Sequence, residues 1–318
     1  MPPKTEHEEF AIAPAAFGTN GVKSVKPPFG YYGAKQRLAS QIVASLPPHN
    51  AWVEVFCGSA AITLAKPPVP IEVINDKNGE IINVFEQLRN NCDELCRAVT
   101  FTPYSREEFL GVRDTPATGT PLDRARRFLV AAMMTVNGTV GNQTGFSFSS
   151  SYSRGGMEAR VSRWNHLPER LAKVAERLRN VRVENRDARE LLEMFAKRPA
   201  TLVYLDPPYF VKRSHDYVID AKDESFHEEL LKLCRKAKCM VLLSGYDTKL
   251  YREALTERRG WTRTFIETHT RDTAGNDYAR TELLWKNEQF VKATKSGRVA
   301  IRLTKVEKQQ DKINPERK

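Results

Sequence analysis

A doubly wound α/β fold with a mainly parallel sheet is predicted for this chain of 318 residues. Three observations carry the prediction. Short apolar runs that read as strands alternate with runs whose apolar residues recur at helical spacing. The strand runs are apolar on both faces, as in a sheet covered by helices on both sides. Several of them end in an acid or a glycine, at the place where open α/β sheets bind ligands.

The elements follow in order. Residues 1–24 mix Pro, Ala and acids without periodicity and are expected to be a flexible tail. "FGYYGAK" (29–35) is a Gly-rich loop leading into a helix with Leu38, Ile42, Val43 and Leu46 at helical spacing, stopped by Pro47 and Pro48. "AWVEVF" (51–56) is a strand, "CGSA" a tight turn, and "AITLAK" the start of a helix. "IEVIN" (71–75) is a second strand ending at Asp76, and "GEIINVFEQLR" a helix with Ile81, Ile82, Phe85 and Leu88 on one face.

The middle of the chain differs in character. "LDRARRFLVAAMMTV" and "LPERLAKVAERLRN" read as helices around a Gly/Ser/aromatic stretch, "NGTVGNQTGFSFSSSYSRGG". Between 121 and 182 eleven basic residues face four acids. Strand–helix alternation then resumes: "VRVEN" and the helix "ARELLEMFA", "TLVYL", "SFHEELLKLCRKA", "CMVLLSG" and "KLYREALTE", closing with the hairpin pair "WTRTFIETH" and "RTELLWKN". Residues 288–318, rich in Lys and polar residues, are expected to be a mobile basic tail.

Composition narrows the function classes. Hydrophobic residues at 41% and charged residues at 28% suit a soluble globular protein, and the net charge of +11 favours a polyanionic partner, most simply nucleic acid. The five cysteines match no common zinc pattern, and neither a disulfide framework nor a metal is expected. No run approaches the ~18 apolar residues of a membrane span, and the acidic N-terminus lacks the order of a secretory signal. A cytoplasmic location is therefore expected.

Two stretches carry the chemistry. In "VEVFCGSAA" a strand runs into a glycine turn and a helix start, and Asp76 ends the next strand 18 residues after Gly58, about where a ribose needs an acid. Ala60 stands where a phosphate-cradling motif would have its second glycine, so a cofactor with a ribose and no phosphate fits better: S-adenosyl-L-methionine is one. The second stretch is Asp206-Pro207-Pro208-Tyr209, directly after the apolar run 201–205. An exocyclic amine of adenine is a poor nucleophile, because its lone pair is delocalised into the ring. A carboxylate and a backbone carbonyl can hold its protons while nitrogen moves toward sp³ geometry. Two prolines stiffen the turn and add no competing N–H. An aromatic ring can stack on a base taken out of the duplex.

With these motifs the chain resembles the DNA N6-adenine methyltransferases of the bacterial and phage DNA adenine methylase family, the D12 class. The resemblance covers roughly 25–287. It implies that Tyr31, Tyr32 and Gly33 line the methionine end of the cofactor and that Lys35 sits near its carboxylate. Phe56 and Gly58 match the glycine motif, while Ala60 departs from the usual glycine. Asp76 matches the acid on the ribose, and Asp187 the one near the cofactor's adenine. Asp206, Pro207, Pro208 and Tyr209 match the catalytic tetrapeptide. The family's order of motifs makes 25–90 and 181–287 the catalytic domain and 91–180 an inserted, largely helical target-recognition region.

Arg124, Arg127, Arg154, Arg160 and Arg163 in that region are the candidate DNA contacts. Trp164, Phe128 and His227 are expected in the core. Phe210, His215 and Tyr217 follow the tetrapeptide on a loop that could close over the base. The resemblance implies double-stranded DNA as substrate, action as a monomer, and a possible cognate restriction endonuclease. Three rival readings stand beside it: a ribosomal RNA adenine methyltransferase, a cytosine-N4 enzyme (disfavoured because Asp, not Ser, opens the tetrapeptide), and a catalytically silent nucleic-acid-binding protein.

Overall fold

The computed structural model describes residues 10–14, 24–31, 33, 35–115, 118–136, 145–152, 155–208, 224–245, 247–271 and 277–302. Among them the strands are β1 (Phe10–Pro14), β2 (Ala51–Glu54), β3 (Ile71–Asn75), β4 (Val181–Glu184), β5 (Thr201–Leu205), β6 (Met240–Gly245), β7 (Thr262–Arg271), β8 (Asp277–Lys286) and β9 (Arg298–Arg302). Seven of these form one sheet in the order β4-β3-β2-β5-β6-β8-β7. Strands β4, β3, β2, β5 and β6 are parallel, while β8 runs antiparallel to β6 and pairs with β7 as a hairpin. The predicted fold class is therefore found: a mixed, mostly parallel seven-stranded sheet with helices.

The helices are α1 (Ala39–Ala44), α2 (Ala61–Ala65), α3 (Gly79–Asn90), α4 (Cys92–Thr100), α5 (Arg106–Arg113), α6 (Pro121–Met134), α7 (Ala159–Asn165), α8 (Leu167–Arg177), α9 (Ala188–Phe195), α10 (Glu224–Lys236), α11 (Lys249–Ala254) and α12 (Glu288–Ser296). Their starts are written locally. Asn78 accepts from Glu80 N–H at 3.0 Å, Asp187 from Arg189 N–H at 2.9 Å, and Thr120 forms a capping box with Asp123 ahead of Pro121.

Side-chain alternation splits the central strands between two cores. Trp52, Leu202, Leu242 and Leu284 join Ile42 of α1 and Phe290 of α12 on one face. Val53, Val203, Val241 and Trp285 join Leu191 of α9, Leu230 of α10 and Tyr251 of α11 on the other. A third cluster binds α4, α5, α6 and α8 to α3 through Leu95, Phe109, Leu129, Leu171 and Phe85, with Phe29 of the Gly-rich loop inside it. Trp164 and Phe128 are buried there, as expected. Buried Glu72 of β3 adds a polar tie, pairing with Lys66 at 2.7 Å and with Arg177 of α8 at 2.6 Å.

Among the described residues, two stretches lie inside the expected tails. Residues 10–14, expected in a flexible tail, pair antiparallel with 298–302. The expected C-terminal tail begins with α12, because Asn287 pins it. The Asn287 side chain accepts from Val241 N–H at 2.9 Å and Phe290 N–H at 3.0 Å, and donates to the Cys239 carbonyl at 2.9 Å. The apolar spacing of Phe290 and Ala293 inside a basic run was too sparse to reveal the helix. Helices α4 and α5 were likewise not foreseen.

Candidate active site

The chain leaves β2 toward β3 and β4 on one side of the sheet, then returns to β5 on the other side of β2. This reversal between β2 and β5 opens a crevice beyond the carboxyl ends of the parallel strands, where doubly wound sheets bind ligands. A cavity of about 310 Å³ lies there, lined by Tyr31, Gly33, Lys35, Phe56, Gly58, Asp76, Asp187, Asp206 and Pro208 among others. Gly58, Asp76, Asp187 and Asp206 thus meet in one cleft because each ends its own strand or opens the helix after it, and the Gly-rich loop brings Tyr31, Gly33 and Lys35 to the same place.

On the β2–β3 side the glycine turn is held by backbone and acid together. Gly58 takes a φ of +48°, and a Cβ there would come within 3.2 Å of the Tyr31 ring. Its N–H donates to Asp76 Oδ2 at 2.9 Å, while Asn78 N–H donates to Oδ1 at 2.9 Å. Burial pushes the Asp76 carboxyl above its ordinary value, and these backbone donors pull it back. Ala60, where a glycine was looked for, takes the left-handed conformation that glycine adopts freely, with φ +55°. Its methyl group is fully buried. That burial, about 0.8 kcal/mol, offsets much of the 1–2 kcal/mol that the conformation costs an alanine.

Asn75, missed in the sequence, joins three strand ends. Its side chain donates to the Val55 carbonyl at 2.9 Å and accepts from Arg186 N–H at 2.8 Å. A polar residue closing an otherwise apolar strand was the available signal. Asp187 caps α9 and is gripped by Arg189, whose Nε and Nη2 donate to its two oxygens at 2.9 Å. That hydrogen bonding holds the carboxyl below its usual range. Phe226 of α10, also missed, meets Phe56 edge-on with ring centroids 6.4 Å apart and lines the cleft. Its place in an amphipathic helix gave no signal beyond core packing.

On the β5 side stands Asp206. Lys35 Nζ lies 2.7 Å from both of its carboxylate oxygens, so the lysine expected near the cofactor's carboxylate faces the tetrapeptide. Burial raises the Asp206 carboxyl above its ordinary value; Lys35 opposes that and Glu282 adds to it. Burial works against the Lys35 charge, but Asp206, Tyr204 and Glu282 together outweigh it and lift the ammonium above its usual range. Buried Glu54, at the end of β2, accepts from Thr63 N–H at 2.9 Å and from the Thr63 hydroxyl. Burial pushes its carboxyl up to about 7. Pro207 is buried and Pro208 reaches the cleft. Tyr32, Tyr209, Phe210, Arg154, His215 and Tyr217 lie outside the described residues.

The candidate DNA-contacting arginines divide. Arg124 is bound to Glu80, and Arg127 donates to Thr115 and to the Gly111 carbonyl at the end of α5. Both are engaged within the fold, Arg124 by an acid of α3 and Arg127 by carbonyls at and just after the end of α5. Arg160 and Arg163 form no ion pair among the described residues. Desolvation, then Arg160, lowers the guanidinium of Arg163, which approaches Gly30 of the Gly-rich loop. His227 is buried, with Nδ1 2.8 Å from the Tyr251 hydroxyl, a structural role as expected.

Comparison with known proteins agrees with this geometry. The chain is 25% identical over 196 residues to the Type II methyltransferase M1.LlaDCHI of Lactococcus lactis subsp. cremoris, a match that covers 58% of this chain and 66% of that protein. It thus spans slightly under two thirds of that relative's length. Solved structures with looser likeness include a precorrin-6y C5,15-methyltransferase from Geobacter metallireducens GS-15 (10% identity, TM-score 0.36, covering 82% of this chain and 97% of that one). Another is a SAM-dependent methyltransferase from Agrobacterium tumefaciens (12% identity, TM-score 0.33, covering 80% and 60%). The family description that matches residues 31–271 is the D12 class N6 adenine-specific DNA methyltransferase, and the chain belongs to that family.

Proposed function

We propose that this chain transfers a methyl group from S-adenosyl-L-methionine to N6 of an adenine flipped out of duplex DNA. One observation carries the reading: Asp206 of the Asp-Pro-Pro-Tyr turn shares a single cleft with the Gly58 turn and Asp76. The residues fit this cofactor. A Cβ at Gly58 would fill the cradle, Asp76 offers its remaining lone pairs to a ribose diol, and Tyr31 closes the methionine end. Phe56 and Phe226 offer aromatic faces for an adenine ring, with the Asp187 carboxylate beside them to accept from its amine.

The bound cofactor would supply an electrophilic methyl on a cationic sulfur. The rest is the work of this chain's groups. Asp206 Oδ and the Pro207 carbonyl accept the two N6–H bonds, which localises the nitrogen lone pair. The turn's two prolines leave no backbone N–H to compete for those acceptors. Lys35 keeps the half-buried Asp206 ionised, so it can accept and then take the N6 proton as nitrogen gains its new bond to carbon. Arg160 and Arg163 stand ready for phosphates near the cofactor loop, and Tyr209 for stacking on the extruded base.

The family match to DNA enzymes favours DNA over RNA, and action as a single chain fits a cleft that strand ends, the Gly-rich loop and α10 of one chain line together. The Type II designation of the Lactococcus relative supports a setting in which an endonuclease cuts the same sequence when it is unmethylated. No helix among the described residues is long and apolar enough to cross a membrane, which fits action on cytoplasmic DNA. The test is methyl-labelled cofactor offered with unmethylated genomic DNA or with ribosomal RNA. Label in DNA is expected. Label in RNA alone would assign the RNA reading, and no cofactor binding by calorimetry would return the chain to a silent DNA binder.

A further inference from the structure

Lys35 is shared between two carboxylates from different strands. Besides its contacts to Asp206, its Nζ lies 3.6 Å from Glu282 Oε1 on β8. Glu282 is 7% exposed and does not line the cleft. Its Oε1 accepts from the Ser244 hydroxyl on β6 at 2.5 Å, and Ser244 is wholly buried. The antiparallel pairing of β6 with β8, with Ser244 opposite Leu284, sets this side-chain contact. A second buried acid is costly where one would satisfy the lysine, so its presence calls for a reason. Among the described residues, the titratable groups facing Asp206 are Lys35 from the loop before α1, Glu54 from β2, Tyr204 from β5, Tyr251 from α11 and Glu282 from β8. Among these, Lys35 alone brings a positive charge.

The reaction asks two things of Asp206 that conflict. It must stay ionised in a half-buried place, which Lys35 secures. It must also turn an acceptor lone pair to the target amine and give up charge to its proton, and Lys35, 2.7 Å from both oxygens, crowds the carboxylate and opposes protonation. A carboxylate on the far side of the ammonium, fixed by a buried hydroxyl, resolves the conflict.

We propose that Glu282 is a positioning residue for methyl transfer: it is a second seat for the Lys35 ammonium, which swings toward it when the amine takes an Asp206 oxygen. This rests on the methyl-transfer reading above. Glu282 touches neither cofactor nor base in this account and acts only through Lys35. Because the seat is a fixed anion, its removal leaves the lysine clamped on Asp206 and takes away a negative neighbour.

The test compares Glu282→Gln and Glu282→Asp with the wild-type chain. The Asp206 carboxyl, labelled with ¹³C and assigned by its loss in Asp206→Asn, is titrated by NMR without substrate. In Glu282→Gln the midpoint should fall by about half a pH unit, and kcat should fall about tenfold with the KM for DNA unchanged. In Glu282→Asp the charge is kept and the seat withdrawn by one methylene, so the midpoint should return toward wild type while kcat stays reduced. An unmoved midpoint together with wild-type kcat in Glu282→Gln would overturn the proposal. If Glu282→Gln does not fold, wild-type kcat in Glu282→Asp would overturn it just as well. If the wild-type chain methylates no nucleic acid, the methyl-transfer reading has failed, and the substrate-free titration still decides whether the lysine is shared.

Discussion

Lys35 Nζ lies 2.7 Å from both carboxylate oxygens of Asp206, across 171 residues of chain. The contact joins the loop before α1 to the end of β5 and turns two separate sequence motifs into one site. Without its partner, half-buried Asp206 would have no positive neighbour among the described residues, with desolvation and Glu282 both favouring its proton. Lys35→Met should therefore cost about a hundredfold or more in kcat. The sign on pH follows: Lys35 holds the Asp206 carboxyl down, so its loss moves the acid limb of the kcat profile to higher pH. Cofactor affinity should change by less than about threefold. A fall in affinity as steep as the fall in kcat would instead place Lys35 at the cofactor's carboxylate.

Asp76 holds the glycine turn and is the candidate ribose acceptor at once. Asp76→Ala removes the acceptor for the Gly58 and Asn78 N–H groups and for the diol. A hydrogen bond to a charged group is worth about 1.5–3 kcal/mol, so calorimetry should show about a ten- to hundredfold weaker cofactor. Unchanged affinity would remove Asp76 from the site.

Glu54 makes stability depend on pH. Its folded value, raised to about 7 from 4.5, means that the folded chain binds its proton more tightly than the unfolded chain does. Stability should then decline as pH rises from 4.5 through about 7, because keeping the ionised form buried is unfavourable. At about 1.4 kcal/mol per unit the decline is on the order of 2–3 kcal/mol. Glu54→Gln should flatten the curve when urea midpoints are compared between pH 5 and pH 8. Parallel curves for the two proteins would contradict the assignment.

The two groups of arginines should separate under salt. Arg160→Ala with Arg163→Ala should weaken DNA binding and lower the slope of log affinity against log salt by about one per arginine removed. Arg127→Ala should lower the unfolding midpoint instead, since its guanidinium holds carbonyls at the end of α5, and should leave that slope unchanged.

How far the sequence alone reached follows from the range of each signal. Strand runs such as 201–205 and the helix that follows Asp187 are local patterns, and they appear in the structure, whereas the cap at Thr120 fell in an expected loop. Gly58, Asp76, Asp187 and Asp206 were legible as residues lining the cleft because each ends a strand or opens a helix at the sheet's carboxyl edge. What stayed hidden is relational. The Lys35–Asp206–Glu282 grouping needs three elements brought together by topology, and no spacing encodes it. The same holds for Phe226 against Phe56, and for α12, whose anchor Asn287 acts through contacts with β6. The arginines could not be sorted by sequence either, because the carbonyls that engage Arg127 and the acid that engages Arg124 lie on other helices.

The central claim is tested most directly by identifying the methylated base. Unmethylated duplex DNA is incubated with S-adenosyl-L-methionine and either the wild-type chain or Asp206→Ala, then digested to nucleosides and analysed by mass spectrometry. The account expects N6-methyldeoxyadenosine with the wild-type chain. With Asp206→Ala it expects none, although that variant still binds the cofactor. Methylated cytosine, or N6-methyldeoxyadenosine formed at the wild-type rate by Asp206→Ala, would contradict it.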